Sequence, residues 1–389
     1  MDKNECSRQR WWTFLRWAAG GALRHIFAFT GENAQIGAEP YLVVANHNTD
    51  LDPALVALSF ADRLTFVASE HVFRKGFASR LLQRVFDPIS RIKGATDASA
   101  ARDILRALKE GKHVCLFAEG NRSFNGVTGP VFPATGKLAR ASGAALATYR
   151  LEGGYLTSPR WSHTLRRGRM LGYVQNVYTA EQLRSMSADE INEAIRADLF
   201  EDAFQRQQSL DAPVAYRGKA LAEGLENALY LCPKCGRIGT LHSHGARFFC
   251  TGCGMEVVYT EYGSFDGAEK PFENVRDWDA WQTARMGELV SAAGDAPLFS
   301  DEDMQLLRIG QAHEAETVAR GALSIGRGGL ALGEAAFSLE SIADMAQIGA
   351  SKIVFTADGA HYEIRAAAPY YCGRKYHLAY RLLKNGAES

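Results

Sequence analysis

From residue 41 to 46 the chain reads YLVVAN, an unbroken apolar run that turns abruptly polar at His47, Asn48, Thr49 and Asp50. A short run rich in β-branched side chains predicts a strand buried on both faces. Residues 53–60 have a helix-like pattern, LTFVAS (64–69) is strand-like again, and 71–86 and 97–110 carry helical patterns. HVCLFAE (113–119) reads as another buried strand, 135–143 as a helix and 187–208 as one further charged helix. Strands and helices alternating from 40 to about 180 predict an α/β domain, with helices flanking a mostly parallel sheet.

The pattern then changes. Residues 229–260 are short strands and turns around cysteines, and 272–290 look helical. From about 304 strand-like segments dominate: LLRIG, TVARGALSIG, GLALGEAAFSL, KIVFTAD and GAHYEIRA, closed by a helix over 373–384. Several short strands followed by one helix predict a small barrel or sandwich with a helical cap. The expected organisation is an N-terminal helix (1–30), the α/β domain (31–215), a cysteine-rich ribbon (225–262) and a β-rich module (300–389). GRGGLA (326–331) imitates a dinucleotide fingerprint, but it lies between strands with no helix after it, so that reading is rejected.

The first helix is unusual in composition. Trp11, Trp12, Phe14, Leu15 and Trp17 crowd together with Arg8, Arg10, Arg16 and Arg24 among them. Indole rings beside basic side chains suit a helix lying in a lipid headgroup layer, and packing on its own domain is the competing reading. No stretch of about 18 apolar residues offers a transmembrane span, and no secretory signal is apparent. The expected location is therefore peripheral, at the cytoplasmic face of the cell membrane.

At 389 residues the chain is long enough for two or three domains. Its 44 basic and 44 acidic residues cancel. They are unevenly placed: residues 1–219 hold 29 basic and 22 acidic side chains, the remainder 15 and 22. A basic first half favours an anionic partner.

Seven cysteines do not make an oxidised framework, because four form two tight pairs and Cys6, Cys115 and Cys372 are scattered. Cys232, Cys235, Cys250 and Cys253 form C-x-x-C, fourteen residues, C-x-x-C. Two-residue gaps aim both thiolates of each pair at one tetrahedral ion, so a structural Zn²⁺ ribbon is predicted, closed to catalysis. The half of the chain around it is acidic, which argues against nucleic acid as its partner.

The polar residues after the first buried strand invite two readings. Asp52 followed by Pro53 is a sound helix start, with the aspartate as cap. Alternatively, His47 and Asp52 are a base and its orienting carboxylate. A second polar cluster, Glu119, Gly120, Asn121, Arg122 and Ser123, also follows a buried strand, and FDPISRIKG delivers Arg91. In open α/β sheets ligands gather at the carboxyl ends of strands, so these clusters can face one crevice.

Taken together, NHNTDLD (46–52), PISR (88–91) and FAEGNRS (117–123) resemble three ordered blocks of the PlsC-like glycerolipid acyltransferases, over roughly residues 10–180. The resemblance implies transfer of a fatty acyl group from acyl-CoA or acyl carrier protein to the hydroxyl of lysophosphatidate. Another lysophospholipid or a glycolipid acceptor is the alternative, and a non-catalytic zinc-ribbon binding protein is a second. It further implies His47 as general base, Asp52 as its orienting partner, and Arg91 and Arg122 on the acceptor's phosphate. Glu119, Gly120 and Asn121 would shape that pocket, with Glu119 orienting an arginine; an ion pair between Glu119 and Arg122 is the competing view. Ala118 stands where that family usually has proline, and Thr135 where it often has lysine. The fourth block, usually an apolar strand with a proline, reads GAALATYRLEGGYLTSPRWS. Tyr149, Arg150 and residues 153–162 then read either as an element near the site or as ordinary structure. The β-rich end resembles a pleckstrin-homology-like or GRAM-like module.

Overall fold

The structure is a computed structural model describing residues 3–37, 40–69, 87–91, 98–310, 314–367 and 371–387; of residues 3–7, 69, 91, 98, 386 and 387 only the backbone is described. The helix expected over 71–86 lies outside these residues. The chain divides into two compact units: residues 1–160 with 165–217, and 161–164 with 218–389.

The first unit opens with α1 (Lys3–Ile26) and β1 (Phe29–Gly31), followed by β2 (Tyr41–Ala45), α2 (Asp52–Ser59), β3 (Leu64–Ser69) and β4 (Ile89–Arg91). Next come α3 (Ala98–Lys109), β5 (His113–Phe117), α4 (Pro133–Ser142), β6 (Ala145–Glu152), the single turn α5 (Gly154–Thr157) and β7 (Met170–Tyr178). The helices α6 (Ala180–Ser185), α7 (Ala188–Leu199) and α8 (Ala203–Ser209) complete it. Its seven-stranded sheet has the order β1-β7-β6-β2-β5-β3-β4. Strands β2 to β6 run parallel, and β7 is antiparallel to β6.

Strand β2 is central, and all five of its residues are buried. Its side chains alternate between two cores. Tyr41, Val43 and Ala45 pack with Leu55, Val56 and Leu58 of α2 and with Trp12 of α1. Leu42 and Val44 pack with Ile104 and Leu108 of α3, Ala139 of α4, and Ile191 and Ile195 of α7. A strand covered on both sides has no polar face, which explains the unbroken apolar run. Gly20 lets α1 approach α2 closely, since a Cβ there would stand 3.1 Å from Leu58.

The single helix expected over 187–208 is instead two, α7 and α8, broken at residues 200–202. Ser187 caps α7 through a capping box with Glu190, and the Asp202 carboxylate caps α8 by accepting the N–H groups of Phe204 and Gln205. Caps of this kind stabilise a helix start by about 1 kcal/mol. In the break, Thr128 exchanges backbone and hydroxyl bonds with Glu201.

In the second unit a single 3₁₀ turn (Leu225–Asn227) precedes a four-stranded antiparallel sheet of β8 (Leu241–His244), β9 (Arg247–Cys250), β10 (Glu256–Tyr259) and β11 (Phe265–Asp266). Helix α9 (Val275–Ser291) follows, capped by Asn274, whose side chain accepts the Asp277 N–H. The β-rich end comprises β12 (Phe299–Ile309), β13 (Ala315–Gly326), β14 (Gly329–Leu332), β15 (Ala335–Phe337), β16 (Ile342–Ile348), β17 (Lys352–Ala357), β18 (Ala360–Ala366) and α10 (Gly373–Ala387). These seven antiparallel strands have the order β15-β14-β13-β12-β18-β17-β16. GLALGEAAFSL is therefore two strands rather than one, turned at Gly333, which takes a left-handed φ of +56°. Tyr376, Ala379, Tyr380 and Leu383 recur at helical spacing on α10 and pack into the same core as Leu323, Ile342, Ile353 and Ile364 of the strands. The Tyr376 and Tyr380 hydroxyls donate to the carbonyls of Leu323 and Ile342.

Candidate active site and cysteine cluster

The carboxyl end of β2 carries the chemistry. Asn46, its first residue beyond the strand, is fully buried and satisfies both edges of Leu151: its amide donates to the Leu151 carbonyl at 2.8 Å and its oxygen accepts the Leu151 N–H at 2.7 Å. This ties the end of β2 to the end of β6 and starts the next loop from a fixed point.

His47 comes next, and its Nδ1 lies 2.9 Å from Oδ2 of Asp52. The same oxygen accepts the backbone N–H groups of Asn48 (2.6 Å) and Thr49 (2.8 Å), and Oδ1 accepts the Thr49 hydroxyl at 2.6 Å. Asp52 is fully buried, whereas the His47 side chain keeps 20% of its surface open. The simple capping role is corrected: Leu51 holds the cap position, and Asp52, as the first helical residue, turns its carboxylate back on the preceding loop. Each backbone contact to Oδ2 is a donor, so this oxygen acts as an acceptor toward the imidazole as well. It then holds a proton on Nδ1 and leaves Nε2 as the basic nitrogen. The imidazole stacks on Phe117 at the end of β5, with centroids 4.4 Å apart and planes at 25°.

Residues 117–120 form the adjoining turn. Gly120 closes it by donating to the Phe117 carbonyl with φ at +64°, a left-handed conformation that suits glycine. Glu119 is buried, and its two oxygens accept the backbone N–H groups of His47 (2.7 Å) and Gly129 (2.5 Å). Burial pushes its carboxyl up to about 8, against the opposing pull of those two amides. The expected partnership of Glu119 with an arginine is thus corrected among the described residues. The side chain is drawn to backbone donors that would otherwise be orphaned, and a Cβ at Gly129 would stand 3.1 Å from it. Ser123 joins the same loop, its N–H donating to the His47 carbonyl.

Arg122 is 10% exposed and places Nε 3.2 Å from Oδ1 of Asp50, which is 83% exposed. The arginine's charge is therefore met by an exposed partner at the surface, not by Glu119. Arg160 donates to the Arg122 carbonyl and lies over the Phe124 ring, 4.0 Å from its centroid. Asn121 is half-buried in the same turn. Arg91 ends β4 opposite Ser69 of β3, and its side chain is outside the described residues. The structure brings His47, Asp52, Glu119, Gly120 and Arg122 into adjacent loops at one end of the sheet. Tyr149 is instead core: it is fully buried, its hydroxyl bonded to Ser59.

Sequence reasoning missed Asn46, Asn48 and Glu201. The Asn48 amide donates to the Leu151 carbonyl and to Oε2 of Glu201, 153 positions away. No local pattern announces such a contact.

In the second unit Cys232, Cys235, Cys250 and Cys253 converge, with all four sulfurs within 4.8 Å of one another. Two pairs stand 3.7 and 3.8 Å apart. Four thiolates about 2.3 Å from one tetrahedral ion would stand about 3.8 Å apart, so the donor set fits a metal ion. Gly236 and Gly254 follow their pairs with φ of +70° and +72°, and each donates its N–H to the carbonyl of the first cysteine of its pair. Added side chains would be strained at both turns.

No helix among the described residues is long and apolar enough to cross a membrane. On α1, Trp12 is buried while Trp11 and Phe14 are about half exposed and Trp17 is 79% exposed.

Residues 26–151 match the family model described as Acyltransferase. This segment spans β1 through all but the last residue of β6 and includes both candidate loops. Among solved structures, the 1-acyl-sn-glycerophosphate (LPA) acyltransferase PlsC from Thermotoga maritima is similar at 20% sequence identity and a TM-score of 0.43, over 51% of this chain and 80% of that one.

Proposed function

We propose that the protein transfers a fatty acyl group from acyl-CoA or acyl carrier protein to the free hydroxyl of lysophosphatidate, yielding phosphatidate. The observation that carries this reading is the bond from His47 Nδ1 to the buried Asp52, inside a segment matching the acyltransferase family. His47 Nε2 takes the proton of the acceptor hydroxyl as its oxygen attacks the thioester carbonyl. The tetrahedral adduct then collapses, the C–S bond breaks, and the imidazolium returns the proton to the departing thiolate. The products are an ester and a free thiol, with His47 neutral again. Asp52 fixes the tautomer and steadies the imidazolium, as the aspartate does in a Ser-His-Asp triad. Here the substrate oxygen is the nucleophile, so no acyl-enzyme is needed.

Arg122, with Arg91 by resemblance, binds the acceptor's phosphate, for which a guanidinium fork is well suited. Gly120 and Asn121 shape that turn. Glu119 supports it from beneath through the His47 and Gly129 amides. The exposed aromatics of α1 and the basic first half of the chain support peripheral attachment to the cytoplasmic face of an anionic membrane, where the lipid acceptor resides. The four cysteines would hold one structural Zn²⁺, and the β-rich end would be a pleckstrin-homology-like module.

The test is a purified-protein assay with labelled acyl thioesters against a panel of lysophospholipid and glycolipid acceptors. Turnover with lysophosphatidate that disappears in His47→Ala supports the reading. Turnover only with another acceptor, or none, overturns it.

A further inference from the structure

Glu201 lies in the break between α7 and α8, outside the segment that matches the acyltransferase family. It is a buried carboxylate with three donors: Oε1 accepts the Gly153 N–H at 2.8 Å and Arg206 Nε at 3.1 Å, and Oε2 accepts Asn48 Nδ2 at 3.1 Å. Arg206 is itself anchored, its Nη2 donating to the Tyr216 hydroxyl at 2.9 Å, which donates to the Arg169 carbonyl. Burial raises the Glu201 pKa, and the Arg206 guanidinium and the Gly153 N–H oppose that rise. What it holds is specific. The Asn48 side chain ends on Glu201, while the Asn48 backbone N–H donates at 2.6 Å to Asp52 Oδ2, the oxygen that faces His47 Nδ1. Three bonds thus lead from Glu201 to the imidazole.

We propose that Glu201 is a positioning residue for acyl transfer: anchored by Arg206, it fixes Asn48 and through Asn48 sets the geometry of the Asp52–His47 pair. The inference rests on the reading of that pair as the base and its orienting partner. All three groups around Glu201 are donors, so Glu201→Gln, with one acceptor oxygen and an amide NH₂, sets donor against donor while preserving shape.

The experiment compares wild type, Glu201→Gln, Asn48→Ala and the double variant by steady-state kinetics, thermal unfolding and nitrogen-15 NMR of the His47 ring. A loss of orientation should lower kcat about 10- to 100-fold in each single variant, with KM changed less than about twofold. The double variant should be no worse than the more impaired single, because both break one path. The His47 ring should shift from the Nδ1–H tautomer toward a mixture. Should Glu201→Gln fail to fold, Asn48→Ala carries the test, since it leaves Glu201 bonded to Arg206 and Gly153. Folded variants with wild-type kcat, or additive losses in the double, overturn the proposal. If wild type transfers no acyl group, the functional reading fails by itself, and the tautomer signal then decides: unchanged ring signals in both single variants overturn the positioning role.

Discussion

Asp52 Oδ2 faces His47 Nδ1 at 2.9 Å while also gathering the backbone N–H groups of Asn48 and Thr49. One oxygen therefore both orients the imidazole and folds the loop that carries it. His47→Ala and Asp52→Asn should separate these duties. His47→Ala should lower turnover about 10²- to 10⁴-fold with little change in unfolding temperature. Asp52→Asn should lose comparable activity and also about 1–3 kcal/mol of stability, because its amide opposes buried N–H donors. Acyl-transfer rates and thermal melts of the two variants check this.

Arg122 and Asp50 form a lopsided pair, one side chain sheltered and the other open to water. A pair open to water on one side contributes about 0.2–1 kcal/mol, so on the proposed reading an incoming phosphate would displace Asp50. Arg122→Ala should raise KM for lysophosphatidate by roughly 10- to 100-fold, from a charge-assisted bond of about 1.5–3 kcal/mol. Asp50→Asn should lower it by no more than about fivefold. Acceptor titrations at fixed donor measure both.

Glu119 makes stability depend on pH in an unusual sense. Its carboxyl is raised by burial from an ordinary 4.5 to about 8, so between those values the folded state holds a proton that the unfolded chain has lost. Its contribution is fully present below about 4.5 and declines as pH rises toward 8. Glu119→Gln should flatten this part of the stability profile. Denaturant midpoints across pH 5 to 8 give the comparison, and a wild-type profile that instead climbs because of Glu119 contradicts the assignment.

The cysteine cluster predicts one zinc ion per chain by elemental analysis. Chelation, or Cys232→Ser, should remove it and lower the unfolding temperature, since such sites contribute directly to folding. Equal melting with and without metal would mean that the ion adds nothing to the fold.

The exposed face of α1 predicts binding to anionic vesicles. Combined Trp11→Ala, Phe14→Ala and Trp17→Ala should weaken vesicle sedimentation while leaving solution melting nearly unchanged, because these side chains are largely outside the core.

What could be read in advance followed local physics. YLVVA announces a strand covered on both faces, and His47 and Asp52 stand out because polar residues interrupt such a strand's end abruptly. The paired cysteines with their glycines were equally plain. The split of 187–208 was signalled by Ser187 with Glu190 and by Asp202, yet the charged helical pattern of the segment masked the break. Strand β16 was missed because its buried positions do not alternate cleanly. For Glu119, an acid near an arginine suggests a partnership between them, and only the fold brings two backbone amides to it. Glu201 could not be found at all: its partners Asn48 and Gly153 come from distant parts of the chain.

The placement of the indoles on α1 also equips the protein with an optical probe. Of its six tryptophans, Trp11 and Trp17 are exposed, Trp12, Trp161 and Trp278 are fully enclosed, and Trp281 is half-buried. The red edge of intrinsic emission, and most of its quenching by acrylamide, therefore comes from the first helix. A change in what covers that helix can be followed by fluorescence alone, without attaching a label.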